Sequence, residues 1–257
     1  MGSGHILVYM FDVLVQIYEA YGYSAREAAT SIIKNNIWGL DIDERAAQLA
    51  YFSVMMKARQ YDRRFFSRGI QPHVYAIQES NVASGFHQQN KGEFQYFKER
   101  LETLDYLLNV FMDAREYGSI LQIEDKDYVG LRKVLIESHT SSLNDYSLSL
   151  WQTEVVSQIL PLIEQAITLS QTYHVVVTNP PYMGGSGMSS KLANYVKNNY
   201  PDTKSDMSTV FMERTLNLCS RTGFMAMINI PVWMFLSSYE KLRNNIINKN
   251  TIIPLNS

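Results

Sequence analysis

Tyr173-His174-Val175-Val176-Val177-Thr178-Asn179-Pro180-Pro181-Tyr182 is a β-branched apolar run that stops on a proline-locked polar tetrapeptide. Its first six residues have the length and composition of a buried strand. Two successive prolines fix φ and remove two N–H donors, while their carbonyls stay free. The segment is therefore a rigid ledge of acceptors. The Asn179 side-chain oxygen and the Pro180 carbonyl can both accept from one exocyclic NH₂ group, which orients the amine without fully deprotonating it. A ring such as Tyr182 beside the ledge can stack on a planar base or amide. The ordinary reading is a polar turn after a strand. In open α/β sheets, however, ligands bind beyond the carboxyl ends of strands, which is where these four residues fall. Asn179, Pro180, Pro181 and Tyr182 are the candidate catalytic residues.

Upstream, Ile6–Ala20 repeats apolar residues at spacings of three and four (Leu7, Phe11, Leu14, Tyr18), predicting a helix. Ser24, with Glu27 three residues on, is a capping box that opens a second helix with Ala28, Ala29, Ile32 and Ile33 on its apolar face. Ile37–Ile42 reads as a short buried strand. Asp43 caps a third helix faced by Ala46, Ala47, Ala50 and Val54. His73–Ile77 is the next strand, after the basic stretch Arg59, Arg63, Arg64 and Arg68. That stretch is a solvated helix end or a contact for DNA phosphates. Residues 80–91 read as loop. Strands alternating with helices in this way predict a parallel sheet with crossover helices.

Between residues 92 and 172 the texture is mainly helical. Phe94, Phe97, Leu101, Leu104, Leu108 and Phe111 mark one amphipathic helix, and Trp151, Val155, Ile159, Leu162, Ile163 and Ala166 mark another that bends at Pro161. Ile120–Ile123 reads as a short strand between them. After Tyr182 the alternation resumes. A helix spans Asp206–Cys219 and is stopped by Gly223, with Cys219 as an inert buried residue on it. A strand spans Phe224–Ile230, a helix Ser238–Ile247, and a further strand begins at Thr251–Leu255. The expected domains are thus a core half at 1–91, a helical insertion at 92–172 and a second core half at 173–257.

The chain's 257 residues, 46% of them hydrophobic, are enough to bury a core without disulfide or metal staples. A net charge of -2 excludes a chain that is an electrostatic nucleic-acid clamp throughout, although a local basic groove remains open. The single cysteine excludes an internal disulfide and any multi-cysteine zinc site, and no metal-ligand cluster is legible. No stretch has the length of apolar residues that a membrane span needs, and no secretory signal is evident. The expected location is cytoplasmic.

Asn-Pro-Pro-Tyr resembles the catalytic motif of the S-adenosylmethionine-dependent amino methyltransferases, chiefly the adenine-N6 DNA methyltransferases. Gly2-Ser3-Gly4-His5 is similar to the second half of that family's cofactor loop, and Gly39-Leu40-Asp41-Ile42-Asp43 to its acidic strand end. Five further stretches resemble the long methyltransferases of type IIG restriction-modification and of BREX phage defence, the PglX group. They are Pro181-Tyr182-Met183-Gly184-Gly185, Asn199-Tyr200-Pro201-Asp202, Lys204-Ser205-Asp206 and Trp233–Ser238, together with Glu240–Arg243 after them. The resemblance implies an α/β, Rossmann-like class I methyltransferase fold, a mostly parallel sheet flanked by helices with its first strand missing from this chain.

The same resemblance implies S-adenosyl-L-methionine as cofactor. Gly2, Ser3 and Gly4 would approach its methionine portion, and His5 would belong to the loop scaffold. Asp41 would bind the ribose hydroxyls, Ile42 would pack on the adenine ring, and Glu79 would accept from the adenine amine. The substrate would be an adenine flipped from double-stranded DNA, with Tyr182 stacked on it. The Asp-Pro half of the loop and a target-recognition region would belong to a larger parent protein. Protein-glutamine and RNA adenine methyltransferases use the same tetrapeptide and stand as alternative readings, as does a non-catalytic remnant.

Overall fold

A computed structural model describes residues 1–81, 100–141 and 146–253, with 138–141 and 146–155 described by their helical backbone. The chain divides into two compact units, Met1–Ser170 and Gln171–Ser257.

The first unit opens with α1 (His5–Ala20) and α2 (Ala25–Asn35). Ser24 forms the expected capping box, its side chain accepting from the Glu27 N–H while Glu27 accepts from the Ser24 N–H. β1 (Trp38–Asp41) follows, then α3 (Glu44–Tyr61), whose start is capped by the Asp43 side chain accepting from the Arg45 N–H at 2.8 Å. A turn of 3₁₀ helix, Phe65–Arg68, leads into β2 (His73–Ala76). β1 and β2 are parallel, with Trp38 opposite His73 and Asp41 opposite Ala76. The helical spacing seen in the sequence buries one face of each helix. Leu7, Phe11 and Val15 of α1 meet Ala28, Ile32 and Ile33 of α2 and Ala50, Val54 and Ala58 of α3 in one core. This burial is the main stabilising term of the unit.

The rest of the first unit is helical: α4 (Leu101–Val110), α5 (Ala114–Tyr117), α6 (Tyr128–Ser141) and α7 (Tyr146–Ser170), the last carrying Pro161 inside it. The expected strand at Ile120–Ile123 is absent: Gly118–Ile120 is a turn of 3₁₀ helix and the chain then runs irregularly. Ile120 and Leu121 are buried as side chains without their backbone entering a ladder. Of the predicted amphipathic helix, Phe94 and Phe97 lie outside the described residues, as do the side chains of Trp151 and Val155 and most of the 80–91 loop.

The second unit contains β3 (Tyr173–Thr178), α8 (Ser190–Asn199), α9 (Met207–Leu218), β4 (Cys219–Met227), α10 (Val232–Phe235) and α11 (Glu240–Lys249). β3 and β4 are parallel. Met212 of α9 packs with Tyr239, Leu242 and Ile246.

The sequence reading of this stretch needs three corrections. Cys219 is the C-cap of α9 and the first residue of β4, only partly buried, rather than an interior helical residue. β4 therefore starts five residues before Phe224, and it ends at Met227 rather than Ile230. Gly223 is not a helix stop. Tyr173 pairs with Cys219 but Val175 with Phe224, so β4 bulges between them. A Cβ on Gly223 would lie 2.9 Å from the Tyr173 carbonyl oxygen, a clash that only glycine avoids. At the end of the chain, 251–253 carry no regular structure, and Pro254 and Leu255 lie outside the described residues.

Candidate methyltransferase site

The loop before α1 is built on two left-handed glycines, Gly2 at φ +58° and Gly4 at φ +89°. Gly4 also has no room for a side chain, since a Cβ there would sit 2.7 Å from the Ala50 Cα. The loop is thereby pressed against α3 and leads directly into α1. Gly4→Ala combines left-handed strain with overpacking, and we expect it to destabilise the chain by about 3 kcal/mol, read by urea unfolding. Ser3 and His5 share a hydrogen bond, Oγ to Nδ1, at 2.6 Å.

Asp41 ends β1 and joins this loop to the strand. Its Oδ2 accepts from the Gly2 N–H at 2.7 Å and from the Met1 ammonium at 3.1 Å, and its Oδ1 accepts from the Asp43 N–H at 3.0 Å. A carboxylate has about four lone-pair directions, so one stays open on Oδ1. Burial pushes the Asp41 carboxyl up, but the Asp43 and Gly2 N–H groups and the Met1 ammonium outweigh it and hold it below the usual carboxylate range. Its folded pKa is thus lower than its unfolded one. The stabilisation is present above the unfolded value and is lost as pH falls through the folded one. Denaturant unfolding between about pH 5 and pH 2 should show the loss, and Asp41→Asn should flatten that limb.

Ile42, next in the chain, is exposed. Its Cδ1 lies 3.6 Å from the position a Cβ would take on Gly118, a glycine held at φ +61°. Glu79, beyond β2, accepts from the Arg115 backbone N–H at 3.3 Å and from Asn81 at 3.2 Å, so one of its oxygens serves the first turn of α5. Arg115 also donates to the Ile77 carbonyl and to Gln78, tying α5 to the end of β2. Neither Gly118 nor Arg115 carries a local signal in the sequence. Only the fold brings them beside the residues after β1 and β2.

In the second unit, Asn179–Tyr182 follows β3 directly. Pro180 is buried, whereas Asn179, Pro181 and Tyr182 are exposed, Tyr182 by 51%. The Tyr182 hydroxyl lies 3.1 Å from the Ile228 carbonyl and 3.3 Å from the Asn179 Oδ1. Ile228 immediately follows β4, so the ring is pinned across the carboxyl ends of both parallel strands. The next residues are held as well. The Met207 N–H donates to the Met183 carbonyl at 2.9 Å and the Gly185 N–H to the Ser205 carbonyl at 3.1 Å, with Gly184 bridged to Asp206. The Asp206 side chain in turn caps α9. Two stretches singled out separately in the sequence, Met183–Gly185 and Ser205–Asp206, are one local structure. The Ile228 carbonyl is a tether that sequence reading missed, because a backbone acceptor 46 positions away has no residue type to announce it.

The structure thus groups Gly2, Ser3, Gly4, His5, Asp41 and Ile42 in the first unit and Asn179, Pro180, Pro181 and Tyr182 in the second. Among the described residues no group of His, Cys, Asp and Glu could hold a metal ion, and no helix is long and apolar enough to cross a membrane.

Residues 35–256 match the family model of the Eco57I restriction-modification methylase. The chain is 37% identical, over 99% of its length, to an adenine-specific methyltransferase BrxX of Escherichia coli O9:H4 (strain HS). It is 39% identical, over 96% of its length, to an adenine-specific methyltransferase PglX of Lacticaseibacillus casei (strain Zhang). It spans about a fifth of the length of these two relatives. With the matched region running from the end of α2 almost to the last residue, the chain belongs to the Eco57I restriction-modification methylase family.

Proposed function

We propose that the chain is the catalytic core of a DNA adenine-N6 methyltransferase with a Rossmann-like class I fold, residues 92–172 forming a helical insertion. The observation that carries this reading is the pinned ledge at the carboxyl end of β3, where Tyr182 is tied to Asn179 and to the Ile228 carbonyl. The two curated relatives, both adenine-specific methyltransferases by name, favour adenine over glutamine as the owner of the amine.

The cofactor is S-adenosyl-L-methionine, and the donor set of the first unit fits it. Gly2 and Gly4 present backbone without a Cβ, and Asp41 keeps an acceptor direction for a ribose hydroxyl at the end of a parallel strand. Ile42 offers an exposed apolar surface for the adenine ring, and Glu79 its remaining acceptor capacity for the adenine amine. When bound, the cofactor supplies an electrophilic methyl group. Asn179 Oδ1 and the Pro180 carbonyl accept from the target amine and aim its lone pair, a gain from orientation rather than from a strong base. Tyr182 stacks on the flipped base, and Pro181 fixes the loop.

The test is transfer of labelled methyl from S-adenosylmethionine to duplex DNA, beside the same duplex lacking adenine, an RNA duplex and a release-factor glutamine peptide. The expected product is N6-methyladenine in the first alone. Label in glutamine or RNA, with none in DNA, would reject the adenine reading.

A further inference from the structure

The C-terminal end of α3 and the 3₁₀ turn after it carry a concentration of positive charge that the methyl-transfer site does not use. Arg59, Arg63, Arg64 and Arg68 fall within ten residues, in a chain whose net charge is only -2. All four are exposed. Arg26 joins them from α2, because Asp62 takes Arg26 at 3.6 Å and Arg68 at 2.5 Å. Asp62 is buried and committed to that pair. Asp12 and Glu19 are the other acidic groups acting here, both through Tyr61, and Asp12 is paired with Lys57 at 2.7 Å. Arg63 and Arg64 have no ion pair to a carboxylate among the described residues. Arg59 lies over the Phe66 ring at 5.4 Å, and Phe66 is itself half exposed.

Position separates this cluster from the cofactor loop. α3 begins beside Asp41, at the carboxyl end of β1, and returns to the starting end of β2. Its 18 residues span about 27 Å at 1.5 Å per residue. The arginines therefore sit at the opposite edge of the β1–β2 pair from Asp41.

We propose that Arg59, Arg63 and Arg64, with Phe66, form a second, sequence-independent contact for the phosphate backbone of duplex DNA. The inference rests on DNA being the substrate and adds a grip away from the target base. Three features favour phosphate over an acidic protein partner. The charge is all arginine, whose planar fork matches phosphate oxygens. Phe66 and Phe52, which lies two turns before Arg59 on α3, are the large apolar residues exposed between positions 50 and 111 among the described residues, fewer than the apolar centre of a stable protein interface needs. Arg26 and Arg68, held by Asp62, fix the turn that carries Arg63 and Arg64, and Phe66 seats Arg59 beside them.

The experiment is fluorescence anisotropy of a labelled random-sequence duplex against the chain and its Arg59→Gln, Arg63→Gln, Arg64→Gln triple variant, between about 50 and 200 mM salt. Arg26 and Arg68 stay intact, and thermal melts check that the variant folds. If the patch grips phosphates, the slope of log affinity against log salt falls by about 2 to 3 in the variant, and affinity at low salt drops at least about tenfold. An unchanged slope, or no duplex binding by the parent chain, overturns the proposal. Loss of polyglutamate binding with DNA binding unchanged overturns it in favour of an acidic protein partner. Methyl transfer is measured separately, so a patch that grips DNA in a protein that does not methylate adenine would fault the functional reading and not this one.

Discussion

Asn179→Ala is expected to lower the rate of methyl transfer by about 10³-fold while leaving cofactor affinity within about twofold, the scale seen when one preorganised hydrogen-bonding group is removed from a reacting centre. The structure limits the damage to that group. The Tyr182 hydroxyl bridges Asn179 and the Ile228 carbonyl, and the second contact survives the truncation. Met183 and Gly185 stay zipped to Met207 and Ser205. The ledge therefore keeps its shape and loses one acceptor of two, so on the proposed reading the target amine would be held by the Pro180 carbonyl alone. Single-turnover methylation, in the protein that carries this chain, reads the loss. Calorimetric titration with S-adenosylhomocysteine reads the cofactor arm. A rate within tenfold of the parent would mean that Asn179 is only a turn former. Loss of cofactor binding would mean that the variant had disturbed more than the ledge.

Asp41→Ala should produce the complementary pattern, with affinity for S-adenosylhomocysteine falling about 100-fold. A hydrogen bond to a charged acceptor contributes about 1.5–3 kcal/mol, and one such bond to a ribose hydroxyl, at the upper part of that range, gives that change. The substitution also releases the Gly2 and Asp43 N–H groups, so the unliganded chain should melt earlier. Asp41→Asn separates the two effects, since it keeps the shape and one acceptor oxygen. It should bind about tenfold more weakly than the parent with a smaller change in melting. Equal cofactor affinity in all three proteins would place the ribose elsewhere and leave Asp41 as the anchor of the loop.

Both predictions rest on residues legible in the sequence, because their signals are local. Ser24 with Glu27 and Asp43 cap the helices that their spacing announced, since a cap is a hydrogen bond across two or three residues, and Asp206, read only as the start of a helix, caps α9 in the same way. The runs at His73–Ala76 and Tyr173–Thr178 are strands because β-branched and aromatic residues suit a pleated backbone, and Trp38–Asp41 pairs in parallel with the first of them. Asn179–Tyr182 could be placed at a strand end for the same reason. The misreadings arose where a partner distant in sequence decides the outcome. Gly223 has the look of a helix stop, yet it is there because the Tyr173 carbonyl approaches it across the sheet. Cys219 looks helical, yet its pairing with Tyr173 draws it into a strand. Ile120 and Leu121 have strand composition, yet the Leu121 N–H donates to the Gly118 carbonyl in a 3₁₀ turn, and burial of their side chains suffices.

The sequence by itself therefore determined where a proline-locked acceptor ledge, a carboxylate at a strand end and a glycine loop fall, because each is a property of neighbouring residues. Tertiary structure alone decided how those residues are held. The Ile228 carbonyl under Tyr182, Arg115 across the end of β2, Gly118 beside Ile42 and the bulge at Gly223 all join positions far apart in the chain. Such contacts must first offset the entropy of closing a long loop. Which of them form is settled by the packing of whole elements, and no short stretch of sequence encodes that choice.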